Sequence, residues 1–226
     1  MTPSTIAIDG PAASGKSTLG ELLAERLRYF YFDTGIMYRA VTAEALARGV
    51  PIQDERSVTQ LAGTLQIDVI PTTSGDCQFT VTVNGRDVTH EIRRPDVDGN
   101  VSPVAAYAGV REAMNKQFRR IAARGCVIMA GRDIGTVVLP DANLKIYLDA
   151  SVEERARRRM LEREAQGRPI SFPDMKREIE RRDVYDSTRA VAPLRRAPDA
   201  VDLDNTGLNI EQTVERALEI VKQSDP

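Results

Sequence analysis

Histidine is almost absent from this chain: its 226 residues contain one, His90. A Ser-His-Asp relay and a histidine-rich metal centre both lose their main ingredient, and His90 reads as a surface or loop residue. Cysteine is nearly as scarce. Cys77 and Cys126 lie far apart, form no C-x-x-C pair and fit packing positions in a reduced cytosolic protein. No apolar run reaches the length of a membrane span, and no secretory signal precedes the first strand, so the expected location is the cytoplasm with no membrane partner. An excess of positive charge is missing too. The 31 Lys+Arg stand against 33 Asp+Glu for a net charge of -2, which provides no broad basic face for nucleic acid.

What is present can fold. Hydrophobic residues make up 42% of the chain, and its length suits one α/β domain, residues 1–226, with a small inserted lobe. The run TIAID at 5–9 is β-branched and apolar, the pattern of a buried central strand. A glycine-rich loop and a helix at 17–27 follow it. Further strands are expected at 29–32, 126–129, 144–148 and 200–203. Helices are expected from about 37, at 104–123, from 153, at 173–185 and at 210–222. Strands alternating with helices indicate an α/β fold with a doubly wound, mostly parallel sheet. The stretch 67–97 differs: 67–70 and 79–83 alternate in strand fashion and an Asn84-Gly85 turn signal follows, so it reads as a small antiparallel β insert. Ser151 with Glu154 three residues later is a capping-box pattern that opens a long charged helix.

Gly10-Pro11-Ala12-Ala13-Ser14-Gly15-Lys16-Ser17-Thr18 fits G-x-x-x-x-G-K-[ST] at every fixed position. Such a loop turns successive backbone N–H groups into an anion nest at the positive end of the following helix. Lys16 then reaches the β- and γ-phosphates, and the Ser17 hydroxyl can join a Mg²⁺ shell. The preceding strand and following helix are the context this motif requires. A GTPase would need Asn-Lys-x-Asp, and the one Asn-Lys pair here, Asn115-Lys116, continues as Gln-Phe.

Arginines near loop or helix ends form the second signal: Arg39, Arg111, Arg132, Arg182 and Arg189. A kinase whose acceptor is itself a phosphate must hold two anionic groups together, and guanidinium forks neutralise and orient at once. It needs little acid–base chemistry, because phosphoryl transfer is mainly positioning and electrostatics. A third signal is the run from Glu153 through Arg155, Arg157, Arg158 and Arg159. Glu153–Arg157 and Glu154–Arg158 suit i,i+4 pairing, but the arginines outnumber the glutamates. The excess, just beyond a strand's carboxyl end, suits a mobile lid over residues 153–170 that brings arginines onto a transferring phosphate.

Taken together, IDGPAASGKST, DTGIMYR (33–39), NVSPVAAYAGVRE (100–112), GRDIGTVVLPDA (131–142), the arginine helix and RRDVYDSTRAVAPL (181–194) resemble the bacterial cytidylate kinases over nearly the whole chain. The resemblance implies a P-loop kinase core with a helical lid, and an inserted monophosphate-binding lobe at 67–100. It implies a monomer that transfers the γ-phosphoryl group of ATP, with Mg²⁺, to CMP or dCMP. By that resemblance Arg39, Arg132 and Arg189 match acceptor-phosphate positions, with Thr34 beside them. Ser102, Arg111 and Asp133 match cytosine-reading positions, and Arg182 and Asp186 lie near the pentose. Lys16, Arg132, Arg155, Arg158 and Arg159 are the candidate catalytic set. The chemistry agrees, since cytosine offers an amino donor for a carboxylate and acceptors for the other two side chains.

Two positions depart from the family's pattern. Ala130 stands where an acidic residue often precedes Gly-Arg-Asp, and Thr34 stands where serine is common. Two other readings stay open on the sequence alone. One is another nucleoside monophosphate or small-molecule kinase of the same fold, from which only the acceptor residues separate it. The other is a nucleotide-binding module with little or no turnover, against which the arginine set argues.

Overall fold

In the computed structural model, which describes residues 2–71 and 79–224, strand β1 (Thr5–Asp9) forms from TIAID, with Ile6, Ala7 and Ile8 fully buried. Burial on both faces is what a continuous apolar run in a parallel sheet requires. β1 pairs in parallel with β6 (Val127–Gly131) on one side and β7 (Leu144–Asp149) on the other. With β2 (Phe30–Asp33) and β8 (Val201–Asp204) the sheet order is β2-β6-β1-β7-β8. The register pairs Ile8 with Ala130 and Asp9 with Gly131, so β1 and β6 end level. Ligands of open α/β sheets bind beyond such ends. The glycine loop leaves one of them and Gly-Arg-Asp leaves the other.

Helices α1 (Lys16–Leu27) and α8 (Ile210–Gln223) supply Leu19, Leu23, Val214, Ala217 and Val221 to the core around β1, β6 and β7. Each buried leucine contributes about 1.5–3 kcal/mol relative to exposure. A reciprocal Asn209–Gln212 capping box starts α8. Helices α6 (Val152–Ala165) and α7 (Phe172–Thr188) pack on each other, and Ala156, Met175 and Ile179 form a smaller apolar cluster with Ala12 of the glycine loop.

The chain divides into two compact units, residues 1–32 with 126–226, and residues 33–125. The second unit holds α2 (Gly35–Ala47), α3 (Glu55–Thr64), an antiparallel sheet of β3 (Ile67–Pro71), β4 (Phe79–Val83) and β5 (Arg86–Asp87), then α4 (Pro95–Ala106) and α5 (Ala108–Ala122). The expected turn joins β4 to β5. Asn84 and Gly85 have φ of 50° and 81°, the left-handed pair that a tight hairpin demands. Buried Glu44 of α2 accepts from both Arg48 and Arg86, tying the helix to the hairpin.

Some expectations are corrected. The single helix at 104–123 is two helices, broken at Tyr107, whose extended backbone (φ -67°, ψ 122°) caps α5. The first of them starts at Pro95, with Asp96 and Asp98 in its first turn, a favourable start that Gly99 and Pro103 downstream obscure. Helix α3 has no counterpart in the sequence reading, although Asp54 caps it by accepting from Ser57 N at 3.2 Å. Cys126 is exposed rather than packed, in a left-handed turn with φ of 49°. Cys77 falls outside the described residues. His90 is exposed beside the short turn Glu91–Arg93, in keeping with a loop role. No helix among the described residues is long and apolar enough to cross a membrane.

Candidate active site

Glycine is required at the start of the phosphate loop. A Cβ on Gly10 would lie 2.0 Å from the Leu148 carbonyl oxygen, so no other residue lets the loop pass the end of β7 so closely. Ala13 and Gly15 are left-handed, with φ of 59° and 93°, and this alternation turns backbone N–H groups inward as a nest. Gly15 is the N-cap of α1, so the nest sits on that helix's positive end. Lys16 is buried and curls back over the loop, donating from Nζ to Pro11 O at 2.6 Å and to Ser14 Oγ at 3.3 Å. Pro11, Ala12 and Ser14 are buried, whereas Ser17 and Thr18 are exposed at the first turn of α1.

The arginines of α6 have divided roles. Arg155 is 3% exposed and donates to Ala150 O, to Ala12 O and, through two bonds, to Asp183 of α7. It is a strut beneath the loop, and contact with a phosphate would come at the expense of the Asp183 pair. Arg158 donates from Nε to Glu154 at 3.0 Å and from its two terminal nitrogens to the side chain and carbonyl of Asn205. Arg159 pairs with Glu162 at 2.7 Å. The expected Glu153–Arg157 pair is not formed: Glu153 takes Lys176 of α7, and Arg157 turns to Glu154. Ser151 Oγ caps Glu154 N as expected, but the Ser151 N–H goes to Thr206 Oγ1, leaving the Glu154 carboxylate to the arginines.

Beyond β6 the chain carries Arg132 and Asp133, and Ile134–Val138 then form a single wide turn. Arg132 Nε donates to Asp186 Oδ2 at 2.8 Å, and Asp133 Oδ1 lies 3.7 Å from Arg189. Arg189 also donates from Nε to Ala192 O. Arg182 lies near Arg132, Arg159, Asp186 and Glu178; shielding from solvent chiefly lowers its pKa, and the two neighbouring cations add to this against the two carboxylates. One end of α7 and the exit of β6 therefore concentrate guanidinium groups, a setting for a polyanion. Asp9, the last residue of β1, accepts from Ile134 N at 2.8 Å and Gly135 N at 2.7 Å. Burial chiefly, with the Asp133 carboxylate adding, pushes its pKa up to about 6 against the two amide bonds and Lys16.

In the unit of residues 33–125, Thr34 is buried at the N-cap of α2, where Gly35 N donates to Asp33 Oδ1. Arg39 pairs with Asp98 of α4 and reaches Ile92 O. Arg111 is 4% exposed, donates to Ala105 O at 3.0 Å and stands 5.4 Å over the Tyr38 ring, which meets Phe118 edge-on. The ring and the carbonyl hold the guanidinium in one orientation. Ser102 is exposed on α4.

Five residues that support this machinery escape the sequence reading: Asp9, Tyr38, Asp98, Asp183 and Asn205. Asn205 is 3% exposed and donates from Nδ2 to Ser14 O at 3.0 Å while accepting from Arg158. Its signal was its place just past the carboxyl end of β8, where side chains reach the ligand edge of the sheet. Asp183 carries no local signal, because its partner is 28 residues away.

A family model described as cytidylate kinase matches residues 6–223. A cytidylate kinase of Geobacillus kaustophilus is 53% identical over 97% of this chain and 96% of its own length. Another from Herpetosiphon aurantiacus is 49% identical over 97% and 95%. A crystal structure of TT1252 from Thermus thermophilus aligns over the whole of both chains with a TM-score of 0.51 at 18% identity, a likeness of fold alone. The glycine loop, the Arg132–Asp133 segment and the arginines of α6 and α7 thus lie within one continuous match, and the chain belongs to the cytidylate kinase family of nucleoside monophosphate kinases.

Proposed function

We propose that this enzyme transfers the γ-phosphoryl group of ATP to CMP or dCMP, giving ADP and CDP or dCDP. The observation that carries the reading is the pairing, on consecutive residues, of a guanidinium and a buried carboxylate, Arg132 and Asp133. Their segment is fixed at both ends, by the Asp9–Gly131 register and by the Asp9 hydrogen bonds to Ile134 and Gly135. A cation suits the acceptor phosphate. A carboxylate suits the cytosine amino group and repels the carbonyl that uracil presents in its place.

On this reading the nest of residues 10–18 holds the donor's phosphates, and Lys16 exchanges its loop carbonyl for phosphate oxygens. An acceptor phosphate oxygen attacks the γ-phosphorus as the bond to the ADP oxygen breaks. The acceptor is already anionic near neutral pH, so no general base is needed, and the sparse histidine content fits. Arg132, Arg158 and Arg159 neutralise the charge spread over the transferring group, residues 153–170, which carry α6, acting as a lid. Arg155 braces the loop. In the second unit Arg39 is assigned to phosphate, Ser102 and Arg111 to the cytosine edge and Thr34 to the same nucleotide. Arg189 is assigned to phosphate, and Arg182 and Asp186 to the pentose.

The donor set suits a hydrated Mg²⁺ bound through nucleotide oxygens. Ser17 offers an exposed hydroxyl beside the nest, and among the described residues no three His, Cys, Asp or Glu converge into a protein cage. Ser17 would hold the ion, which when bound neutralises the donor's phosphate charge. A coupled assay for ADP with ATP, Mg²⁺ and one monophosphate at a time tests the reading. ADP release should depend on CMP or dCMP and be far slower with UMP, AMP or GMP. Equal turnover with AMP would remove the base-reading role of Asp133.

A further inference from the structure

Asp9 has no role in the proposed contacts with either nucleotide, yet it is 4% exposed at the end of the central strand. Burying a carboxylate there is costly unless its lone pairs are used. Both oxygens are: Oδ1 accepts from Ile134 N at 2.8 Å and Oδ2 from Gly135 N at 2.7 Å. These amides are 125 and 126 residues away in sequence, so the bonds are a tertiary clamp and not a local turn.

The clamp falls at a particular place. Gly131 is fixed by the ladder, opposite Asp9 itself. The chain then has two residues, Arg132 and Asp133, before it meets the same side chain again at Ile134. Their exit direction is therefore set by one carboxylate, whose own backbone leads directly into Gly10. Gly135 is closely packed as well: a Cβ there would lie 3.0 Å from Lys145 Cδ, tight enough that the lysine chain would have to shift, and 3.4 Å from Asp9 Oδ2, in ordinary contact. The charged and titratable groups around Asp9 are Lys16 at the start of α1, Asp133 on the clamped segment, and Tyr147 and Lys145 on β7.

We propose that Asp9 is a positioning residue for the acceptor nucleotide, holding Arg132 and Asp133 in their reading geometry through the Ile134 and Gly135 amides. This rests on the assignment of Arg132 and Asp133 to the acceptor. The clamp needs the ionised form, since two N–H donors require two acceptor oxygens. A protonated carboxyl, or an asparagine amide, turns a donor towards one of the amides and loses that bond. Asp9 holds its proton up to about pH 6, so the clamp weakens on mild acidification while the sheet, built from other bonds, persists.

The acceptor's own phosphate titrates at about the same pH, so a rate profile alone does not isolate Asp9. The test is in two parts. In wild-type protein without nucleotide, the ¹⁵N amide resonances of Ile134 and Gly135 should titrate together with a midpoint near pH 6, and Asp9→Asn should abolish that titration. In kinetics at pH 7.5, Asp9→Asn should raise the KM for CMP on the order of tenfold while the KM for ATP stays within about twofold. Amides that do not titrate in the wild type overturn the clamp even if the variant fails to fold. Equal rises in both KM values reduce Asp9 to a structural role and overturn the inference. Absence of CMP turnover by the wild type would instead overturn the substrate assignment, and is measured first.

Discussion

Arg155 and Asp183 join α6 to α7 through two hydrogen bonds of 3.0 and 2.7 Å, and the same guanidinium donates to Ala12 O in the phosphate loop at 3.2 Å. Removing one partner of a pair buried on the arginine side leaves an uncompensated charge. Arg155→Met should therefore cost about 3 kcal/mol of unfolding free energy, read as a lower midpoint in urea. Arg155→Lys keeps the charge but cannot make the fork, and should recover less than half of that loss. A wild-type midpoint for Arg155→Met would mean that the strut carries no stability. The KM for ATP should rise as well, because the Ala12 carbonyl loses its anchor.

Arg132 is held in place by Asp186, at 2.8 Å with both side chains mostly shielded, and is proposed above to contact phosphate. A preoriented guanidinium stabilises the transition state more than a free one, since little freedom remains to be lost. Arg132→Ala should lower kcat/KM for CMP by two to three orders of magnitude, roughly 3–4 kcal/mol of transition-state stabilisation. Asp186→Asn should lose less, because the arginine remains with a weaker hold and the amide can still accept from a pentose hydroxyl. Near-normal turnover by Arg132→Ala would remove it from the site.

The parts legible in the sequence are those whose physics is local. The central strand, the nest and the Asn84-Gly85 turn each carry their reason within a few adjacent residues, and each is found where it was read. Helix α3 was missed although its Asp54 cap is local, because its apolar positions are few and followed directly by a strand. The supporting contacts were hidden for another reason. Asp9 to Gly135, Arg155 to Asp183 and Asn205 to Ser14 span 126, 28 and 191 residues, and no spacing rule relates such positions. The arginine run showed the same limit. Its charge excess was visible, but not that Arg155 turns inward while Arg159 stays at the surface.

On the proposed reading, Asp133 is the residue whose substitution best separates the acceptor bases. Its carboxylate accepts from an amino group, whereas an asparagine amide can also donate to a carbonyl. Asp133→Asn should therefore lower the ratio of kcat/KM for CMP over UMP by about tenfold or more, with UMP turnover unchanged or raised. The measurement is the pair of specificity constants under one ATP concentration. An unchanged ratio would place base discrimination elsewhere, with Ser102 and Arg111 the next residues to vary.

The elevated pKa of Asp9 has a consequence for stability whose sign is fixed. Its carboxyl binds a proton up to about pH 6 when folded, against 3.8 ordinarily, chiefly because burial penalises the charge. The folded state thus holds this proton more tightly than the unfolded chain. The associated stability is full below about pH 4 and is lost as pH rises through 6, a change of about 3 kcal/mol for two pKa units. Other groups titrate in the same interval, so the useful quantity is the difference in unfolding free energy between wild type and Asp9→Asn. That difference should shift in favour of the variant by up to about 3 kcal/mol between pH 4 and 7.5. The variant's lost amide bond adds a constant offset without changing the slope. A flat difference, or one that favours the wild type as pH rises, would mean that Asp9 ionises at its ordinary value. If the predicted slope is found, the ionised clamp opposes stability near neutral pH, the cost expected of a buried group kept for a positioning role such as the one proposed for Arg132 and Asp133.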